Sequence, residues 1–275
     1  MADKSIRISQ RALGIKASGI RKFFELGLSM KDPIDLSIGQ AHFDVPDEIK
    51  QAAIGAINEG RNRYTVTQGI PELRDALKAR YAQRFGDISG CETMVTCGVS
   101  GGLMLTFLAT LDPGDEILIP DPYFVMYRHL ATMVGARAVT YDIYPDFKPT
   151  AAAIREKITD KTRLILVNSP SNPTGYALSE TEARELAALS DQTGIPLVSD
   201  EIYEDFIYTE RHVSPREFTD NCIVLSGASK SMGMPGWRMG WLLAPRELVE
   251  RMYSLQQFSY VCAPAPAAVG GAQGA

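Results

Sequence analysis

Cysteine and histidine are both scarce in this chain. No Cys-x-x-Cys pair occurs, and the histidines are isolated from one another along the sequence. The residues concerned are Cys91, Cys97, Cys222, Cys262, His42, His129 and His212. Disulfide-stapled domains and structural zinc sites both depend on closely spaced cysteines or histidines. The sequence therefore supports neither a disulfide framework nor a metal site, and we expect the cysteines to be reduced.

Long apolar runs and an excess of basic charge are also missing. The chain carries 28 basic and 33 acidic residues without a basic block, and its start, Met1 to Arg7, has charges where a secretory signal needs an apolar stretch. A membrane-spanning helix needs about 20 mostly apolar residues in a row, and nucleic-acid binding needs a basic patch. We therefore expect no membrane or nucleic-acid partner and a cytoplasmic location.

Short apolar runs rich in β-branched residues alternate with segments of helical periodicity. Two of the helical segments are Pro71 to Phe85 and Ser179 to Thr193. The predicted strands are Thr93 to Cys97, Glu116 to Pro120, Ala138 to Tyr141, Arg163 to Asn168, Pro196 to Asp200, Cys222 to Ser226 and Met239 to Ala244. Continuous apolar strands separated by helices predict an α/β fold with a mostly parallel, seven-stranded sheet covered by helices on both faces.

Lys230 lies in a run of small residues directly after the predicted strand that ends at Ser226. Gly227, Ala228 and Ser229 precede it, and Arg238 follows eight residues later. Small neighbours leave room for a flat, bulky group, and an arginine can hold an anion. The pattern indicates a Schiff-base lysine with a phosphate clamp. The alternative is a lysine on an exposed turn with Arg238 in a surface ion pair.

The run from Gly227 to Gly240 resembles the lysine signature of the class I/II pyridoxal-phosphate (PLP) aminotransferases of fold type I, which are aspartate aminotransferase-like. The resemblance covers roughly residues 34 to 266. It implies that Lys230 holds PLP as a Schiff base and that Ser229 and Arg238 bind the cofactor. In open α/β sheets, ligands bind outside the carboxyl ends of the strands, and further segments similar to the family follow predicted strands here.

Two of these segments follow the first two predicted strands. Gly98 to Gly102 precede the predicted helix Leu103 to Leu111, and the family binds the cofactor phosphate there; the implied donors are Val99, Ser100 and Gly101. Tyr123 follows the next strand and is implied to stack on the PLP ring. Without the resemblance, the glycine-rich segment reads as an ordinary turn and Tyr123 as a packed loop residue.

Two more segments follow later strands. The turn Asn168 to Gly175 is similar to the family's Asn-Pro-x-Gly turn, which implies that Asn172 donates to the phenolic oxygen of PLP; the alternative is a helix-capping asparagine. Asp200 closes a predicted strand and is implied to pair with the protonated pyridine nitrogen. Tyr203 is implied to join Asn172. Glu201 competes with Asp200 for the carboxylate role, but the family pattern and the strand phase favour Asp200.

Upstream segments carry the implied substrate and dimer contacts. Asp35 to Gln40 resembles the family's substrate-facing segment, with Gly39 near the substrate carboxylate. Arg63 to Arg74 resembles the segment whose tyrosine, here Tyr64, reaches the phosphate of the neighbouring subunit. The resemblance therefore implies a homodimer with shared sites.

The resemblance predicts three regions. Residues 1–45 form an N-terminal segment, residues 46–262 form the PLP-binding large domain, and residues 263–275 form a tail of small residues that has no core to offer. Family members continue into a smaller C-terminal domain, which carries the arginine that pairs with the substrate carboxylate. We expect this domain to be absent and the chain to be a truncated or degenerate copy, with activity impaired as a result.

Three functions remain open from the sequence. The first is an aminotransferase that moves an amino group from an α-amino acid to a 2-oxo acid, with Lys230 as general base and acid and with ping-pong kinetics. The second is a PLP-dependent lyase on the same scaffold, such as a carbon–sulfur lyase or a cyclopropane-forming synthase. The third is a PLP-binding module without activity. The residues quoted above leave the amino acid unidentified.

Overall fold

A computed structural model of the chain describes residues 6–15, 19, 26–27, 29–32, 34, 39–208 and 211–274. Each predicted strand is present, with ends that differ from the prediction by at most two residues. The strands are β1 (Cys91–Cys97), β2 (Glu116–Asp121), β3 (Arg137–Asp142), β4 (Thr162–Asn168), β5 (Leu197–Asp200), β6 (Cys222–Gly227) and β7 (Met239–Pro245). The predicted seven-stranded α/β architecture is confirmed.

The strands form one sheet in the order β1-β7-β6-β5-β4-β2-β3. Strand β7 is antiparallel to its neighbours β1 and β6, and the other pairs are parallel. The start of β7 therefore lies at the same edge of the sheet as the carboxyl ends of the other strands. This edge gathers the turns that follow β1, β2, β4, β5 and β6.

The helices lie on both faces of this sheet. They are α1 (Gln10–Gly14), α2 (Asp47–Asn58), α3 (Pro71–Phe85), α4 (Gly98–Thr110), α5 (Met126–Val134), α6 (Ala151–Arg155), α7 (Glu180–Thr193), α8 (Arg246–Ser259) and α9 (Ala265–Gly274). Helix α7 begins with a capping box, in which the Ser179 hydroxyl accepts from the Glu182 N–H and the Glu182 carboxylate accepts from the Ser179 N–H. Among the described residues, no helix combines the length and apolar character needed to cross a bilayer.

Alternating strand residues divide the core into two layers. In β4, Ile165 and Val167 pack with the layer that includes α3 and α7, whereas Leu164 and Leu166 pack with the layer that includes α4, α5 and α8. Successive side chains of a strand point to opposite faces, so a sheet that is buried on both faces has apolar residues at most positions. The continuous apolar runs of the sequence have this physical origin.

The prediction that the chain offers no core after residue 262 is wrong. Residues 265 to 274 form α9, in which Ala267, Ala268, Gly270 and Gly271 are buried. A Cβ atom built on Gly270 would lie 3.0 Å from the Ile49 carbonyl oxygen of α2 and 3.1 Å from the Trp237 ring. Small residues allow this close helix contact. Because they include no large apolar side chains, the sequence pattern did not predict a buried helix here.

A matched pair of substitutions tests this packing. Gly270→Val should lower the free energy of unfolding by about 2 kcal/mol, because the Cβ atom of the new side chain would lie only 3.0 Å from the backbone carbonyl oxygen of Ile49. Gly55→Val in α2 is the control, since nothing lies within 4 Å of a Cβ atom there. We expect it to change stability by no more than about 0.5 kcal/mol. Urea unfolding measures both, and equal effects would contradict the packing of α9.

Candidate active site

Lys230 follows β6 at the edge where the strand ends meet. Its side chain is half-buried, and its Nζ donates a hydrogen bond to the Gly39 carbonyl oxygen at 2.8 Å. The same nitrogen lies 5.7 Å from the centre of the Tyr203 ring. Burial lowers the pKa of Lys230, because the charged ammonium loses hydration. A larger fraction of neutral amine makes Lys230 a better nucleophile and proton acceptor than a surface lysine.

Glycines around Lys230 let three backbone segments approach closely. Gly98, at the start of α4, donates its N–H to the Arg238 carbonyl at 2.9 Å, and a Cβ atom on it would lie 2.5 Å from the Arg238 guanidinium. A Cβ on Gly240 would overlap the backbone of Gly98, and one on Gly227 would lie 2.8 Å from the Met239 carbonyl oxygen. The glycines of the lysine signature therefore bring Arg238 against the start of α4.

The start of α4 and Arg238 together form a cradle for an anion. The helix begins at Gly98, five residues before the predicted Leu103, because the positive φ of +68° at Gly98 turns the chain directly from β1 into the helix. Val99, Ser100 and Gly101 therefore stand in the first helical turn, where N–H groups have no partner within the helix. Arg238 bonds only to carbonyl oxygens, and among the described residues no carboxylate pairs with it. Ser229, next to Lys230, is half-buried on the same edge.

Asp200 is the last residue of β5 and is only 2% exposed. One carboxylate oxygen accepts a hydrogen bond from the Tyr127 hydroxyl at 2.7 Å, and the other accepts from the Ile202 N–H at 3.3 Å. Burial raises the pKa of Asp200 to about 6, although the Tyr127 hydrogen bond opposes the shift. Within the described part of the chain no arginine or lysine bridges this carboxylate, so it lacks the cation that a buried charge requires.

The sequence did not single out Tyr127. This residue lies on α5 with 1% of its surface exposed, and its spacing is that of an ordinary core position. The signal that could have found it is chemical, since a buried tyrosine hydroxyl usually needs a hydrogen-bond partner. The partner, Asp200, is 73 residues away along the chain, and only the fold brings the two together.

Asn172 and Tyr203 meet beside Asp200. The Asn172 side-chain amide lies at hydrogen-bond distance from the Tyr203 hydroxyl, at 3.5 Å, while its backbone N–H donates to Asn168 Oδ1 at 2.7 Å. Asn168 in turn donates from Nδ2 to the Asp200 carbonyl at 2.8 Å. Burial and the nearby Asp200 charge raise the pKa of Tyr203, so its hydroxyl stays protonated and available as a donor. The turns after β4 and β5 thus present donors side by side.

The remaining predicted site residues differ in their burial and in their contacts. Tyr123 is half-buried between β2 and α5, and its hydroxyl accepts from Arg128 Nη1 at 3.4 Å. Tyr64 lies between α2 and α3 and is 84% exposed. Gly39 contacts Lys230, but the neighbouring residues 35–38 of the predicted substrate segment lie outside the described residues.

Glu201, the competitor for the Asp200 role, points away from the site. It is fully buried and bonds to Arg84 at 2.9 Å and to His212 at 3.0 Å. Burial by itself would raise the pKa of Glu201, but the Arg84 charge and the hydrogen bonds to His212 and Ser214 outweigh it and hold the pKa below its ordinary value. Glu201, Glu204 and His212 converge as metal ligands could. The Arg84 guanidinium bonds both glutamates, so a protein cation already balances their charge.

Known proteins are similar to this chain in both sequence and fold. The family model for "Aminotransferase class I and II" matches residues 31–274. A probable aspartate aminotransferase of Methanocaldococcus jannaschii is 39% identical over 263 residues, which cover 93% of this chain and 70% of that protein. The aspartate aminotransferase of Pyrococcus horikoshii is also 39% identical, over 91% of this chain and 66% of its own length.

A solved structure extends the agreement to three dimensions. The aspartate aminotransferase of Thermus thermophilus with maleate superposes with a TM-score of 0.92 at 33% identity, over 98% of this chain and 72% of that one. The sequence resemblance is therefore confirmed over nearly the whole chain, which spans about two thirds of the length of these relatives. With a half-buried lysine, a buried carboxylate and an anion cradle at one sheet edge, the chain belongs to the class I and II aminotransferase family.

Proposed function

We propose that the chain binds PLP covalently through Lys230 and uses it to transfer an amino group between an α-amino acid and a 2-oxo acid. The observation that carries this proposal is the buried Asp200 carboxylate, for which the described residues supply no cation. A protonated ring nitrogen is a cation of suitable shape. When bound, PLP supplies an electron sink for negative charge at the substrate Cα.

The other site residues have complementary roles in this proposal. Asn172 and Tyr203 donate to the phenolic oxygen, and Tyr123 packs against the ring face. The phosphate is held by the amides of the first turn of α4 and by the side chains of the lysine signature; these residues are Val99, Ser100, Gly101, Ser229 and Arg238. Helix amides and a guanidinium both favour a phosphate dianion.

Lys230 moves the proton in the reaction. With the cofactor bound, the Nζ amine of Lys230 would accept the proton from the substrate Cα as a general base and return it as a general acid. A general base works best when its pKa lies near the working pH, and the lowered pKa of Lys230 supports this role. Asp200 keeps the ring nitrogen charged, with Tyr127 orienting the carboxylate.

The assembly and the substrates are further parts of the proposal. Two copies of the chain would share their sites, and Tyr64 of the partner subunit would contact the phosphate; its exposure here supports this arrangement. Gly39 would lie near the substrate carboxylate, and its contact with Lys230 supports this part of the proposal. Aspartate is the first amino donor to test, because several relatives are named as aspartate aminotransferases.

Covalent trapping tests the proposal directly. Borohydride added to the protein with PLP should fix the cofactor on the peptide that contains Lys230, as read by mass spectrometry. Lys230→Ala should abolish the trapping, and Lys161→Ala, an exposed lysine at the turn before β4, should leave it unchanged. In a separate portion that is not treated with borohydride, labelled 2-oxoglutarate should gain an amino group from aspartate or another α-amino acid. Equal trapping in Lys230→Ala would overturn the proposal.

Asp200→Asn should show a characteristic dependence on pH. The folded protein holds a proton on Asp200 up to about pH 6, above the unfolded pKa, so the charge costs stability as the pH rises through this window. The cofactor-free variant should therefore be more stable than wild type by about 1–3 kcal/mol at about pH 8, and equally stable near pH 4. Urea unfolding at both values measures this difference.

Bound PLP should make the wild type more stable than Asp200→Asn, which is the opposite of the order expected without the cofactor. Added PLP should raise the unfolding midpoint of the wild type more than that of Asp200→Asn, since only the wild type supplies a charge for the ring nitrogen. Asp121→Asn, at the exposed end of β2, is the control and should follow the wild type in both experiments. A variant that is less stable than wild type at both pH values would contradict the role of Asp200.

A further inference from the structure

A buried cluster of charged residues lies directly behind the candidate active site. Glu201 and Glu204 sit on the turn that also carries Asp200 and Tyr203, and they are 0% and 8% exposed. Side chains alternate along an extended segment, so Glu201 points away from the face where Asp200 meets Tyr127. The turn therefore has two sets of contacts, one at the site and one in the interior behind it.

Arg84, near the end of α3, bridges the two glutamates. One guanidinium nitrogen lies 2.9 Å from Glu201 Oε2 and the other lies 2.6 Å from Glu204 Oε2. The planar fork of an arginine can bind two acceptors at fixed geometry, which the single ammonium of a lysine cannot do. Arg84 comes from an element about 117 residues away in sequence, so this contact fixes the turn relative to the body of the domain.

The other oxygen of each glutamate is also satisfied. Glu201 Oε1 accepts from the Ser199 hydroxyl at 2.8 Å and also bonds to Ser214, and Glu204 Oε1 accepts from the Ser226 hydroxyl at 2.6 Å. Ser226 belongs to β6, four residues before Lys230. The network therefore connects α3 with Glu201 and Glu204 on the turn after β5, and with β6, the strand that precedes Lys230.

The charges of the cluster depend on Arg84. Burial raises the pKa of Glu204, and the neighbouring Glu201 charge raises it further. Arg84 and Arg80 act in the opposite direction, and the exposed fraction of the Arg84 side chain is only 19%. Two adjacent buried carboxylates repel each other unless a cation lies between them. Arg80 also pairs with Glu204, at 3.2 Å, and His212 with Glu201, at 3.0 Å, but of these three residues Arg84 is the one that bonds both glutamates.

We propose that Arg84 is a positioning residue that, through Glu201 and Glu204, holds Asp200 and Tyr203 in the geometry that the cofactor needs. This inference rests on the proposed PLP site. Arg84 touches neither the cofactor cradle nor Lys230 among its described contacts, so its effect passes through the turn. Glu204 extends that effect to β6 through Ser226.

Arg84→Lys tests the inference, because it keeps the charge and removes the fork. The visible absorption of bound PLP should titrate with a higher midpoint pH than in the wild type. Displacement of Tyr203 removes a donor that stabilises the phenolate, and displacement of Asp200 weakens the ring-nitrogen charge; both changes favour the protonated form. The dissociation constant for PLP should rise about tenfold, as is common when a supporting residue behind a binding group is lost.

Arg74→Lys is the matched control. Arg74 also lies on α3, is 20% exposed and pairs with a buried glutamate, Glu92, but it makes no hydrogen bond or ion pair to the described residues of the turn after β5. We expect it to lower the thermal unfolding midpoint to a similar extent while leaving the PLP titration and affinity unchanged. If Arg84→Lys also lowered the unfolding midpoint without changing the PLP titration or affinity, Arg84 would be structural and the inference wrong.

Glu204→Gln provides a second variant in case Arg84→Lys does not fold. It keeps the side-chain shape and the Ser226 contact but removes the negative charge that pairs with Arg84. We therefore expect the titration midpoint to shift upward, by less than in Arg84→Lys. An unchanged midpoint would also overturn the inference. Failure of the wild type itself to bind PLP is a different result, since it would reject the proposed function and this inference together.

Discussion

The end of β5 places two carboxylates, Asp200 and Glu201, next to each other in the protein interior. Burying a carboxylate is costly unless a cation or several donors compensate it. Glu201 has the guanidinium of Arg84 within 2.9 Å, whereas Asp200 has only a tyrosine hydroxyl and a backbone amide. This asymmetry gives one carboxylate a structural role and leaves the other available to a bound cation.

The sheet explains why the site lies where it does. Because β7 runs antiparallel to β6 and β1, the residues before it face the same edge as the residues that follow the parallel strands. Arg238 reaches the start of α4 by this route, and Lys230 lies on the connection between the two antiparallel strands. Glycine at positions 98, 227 and 240 makes the approach possible, since a Cβ atom at any of them would collide with neighbouring atoms. Topology and residue size thus combine to bring Arg238 against the start of α4.

The sequence predicted much of this arrangement. The apolar runs marked the strands to within two residues, because most interior positions of a sheet that is covered on both faces are apolar. The motifs marked Lys230, Asp200, Asn172 and Arg238, since each follows or precedes a strand at the shared edge. The start of α4 and the packing of α9 were misjudged. In both places the decisive residues are glycines and alanines, which carry little periodic signal but allow close backbone contact.

By itself, the sequence determined the class of fold and the family, and it nominated the candidate site residues, because these depend on local patterns and short motifs. Only the tertiary structure decided which side chains support them. Tyr127 reaches Asp200 across 73 residues and Arg84 reaches Glu201 across 117, and neither spacing is visible in a local pattern. Buried polar groups must find partners wherever the fold offers them. Those partners are consequences of packing, which a linear sequence of motifs does not specify.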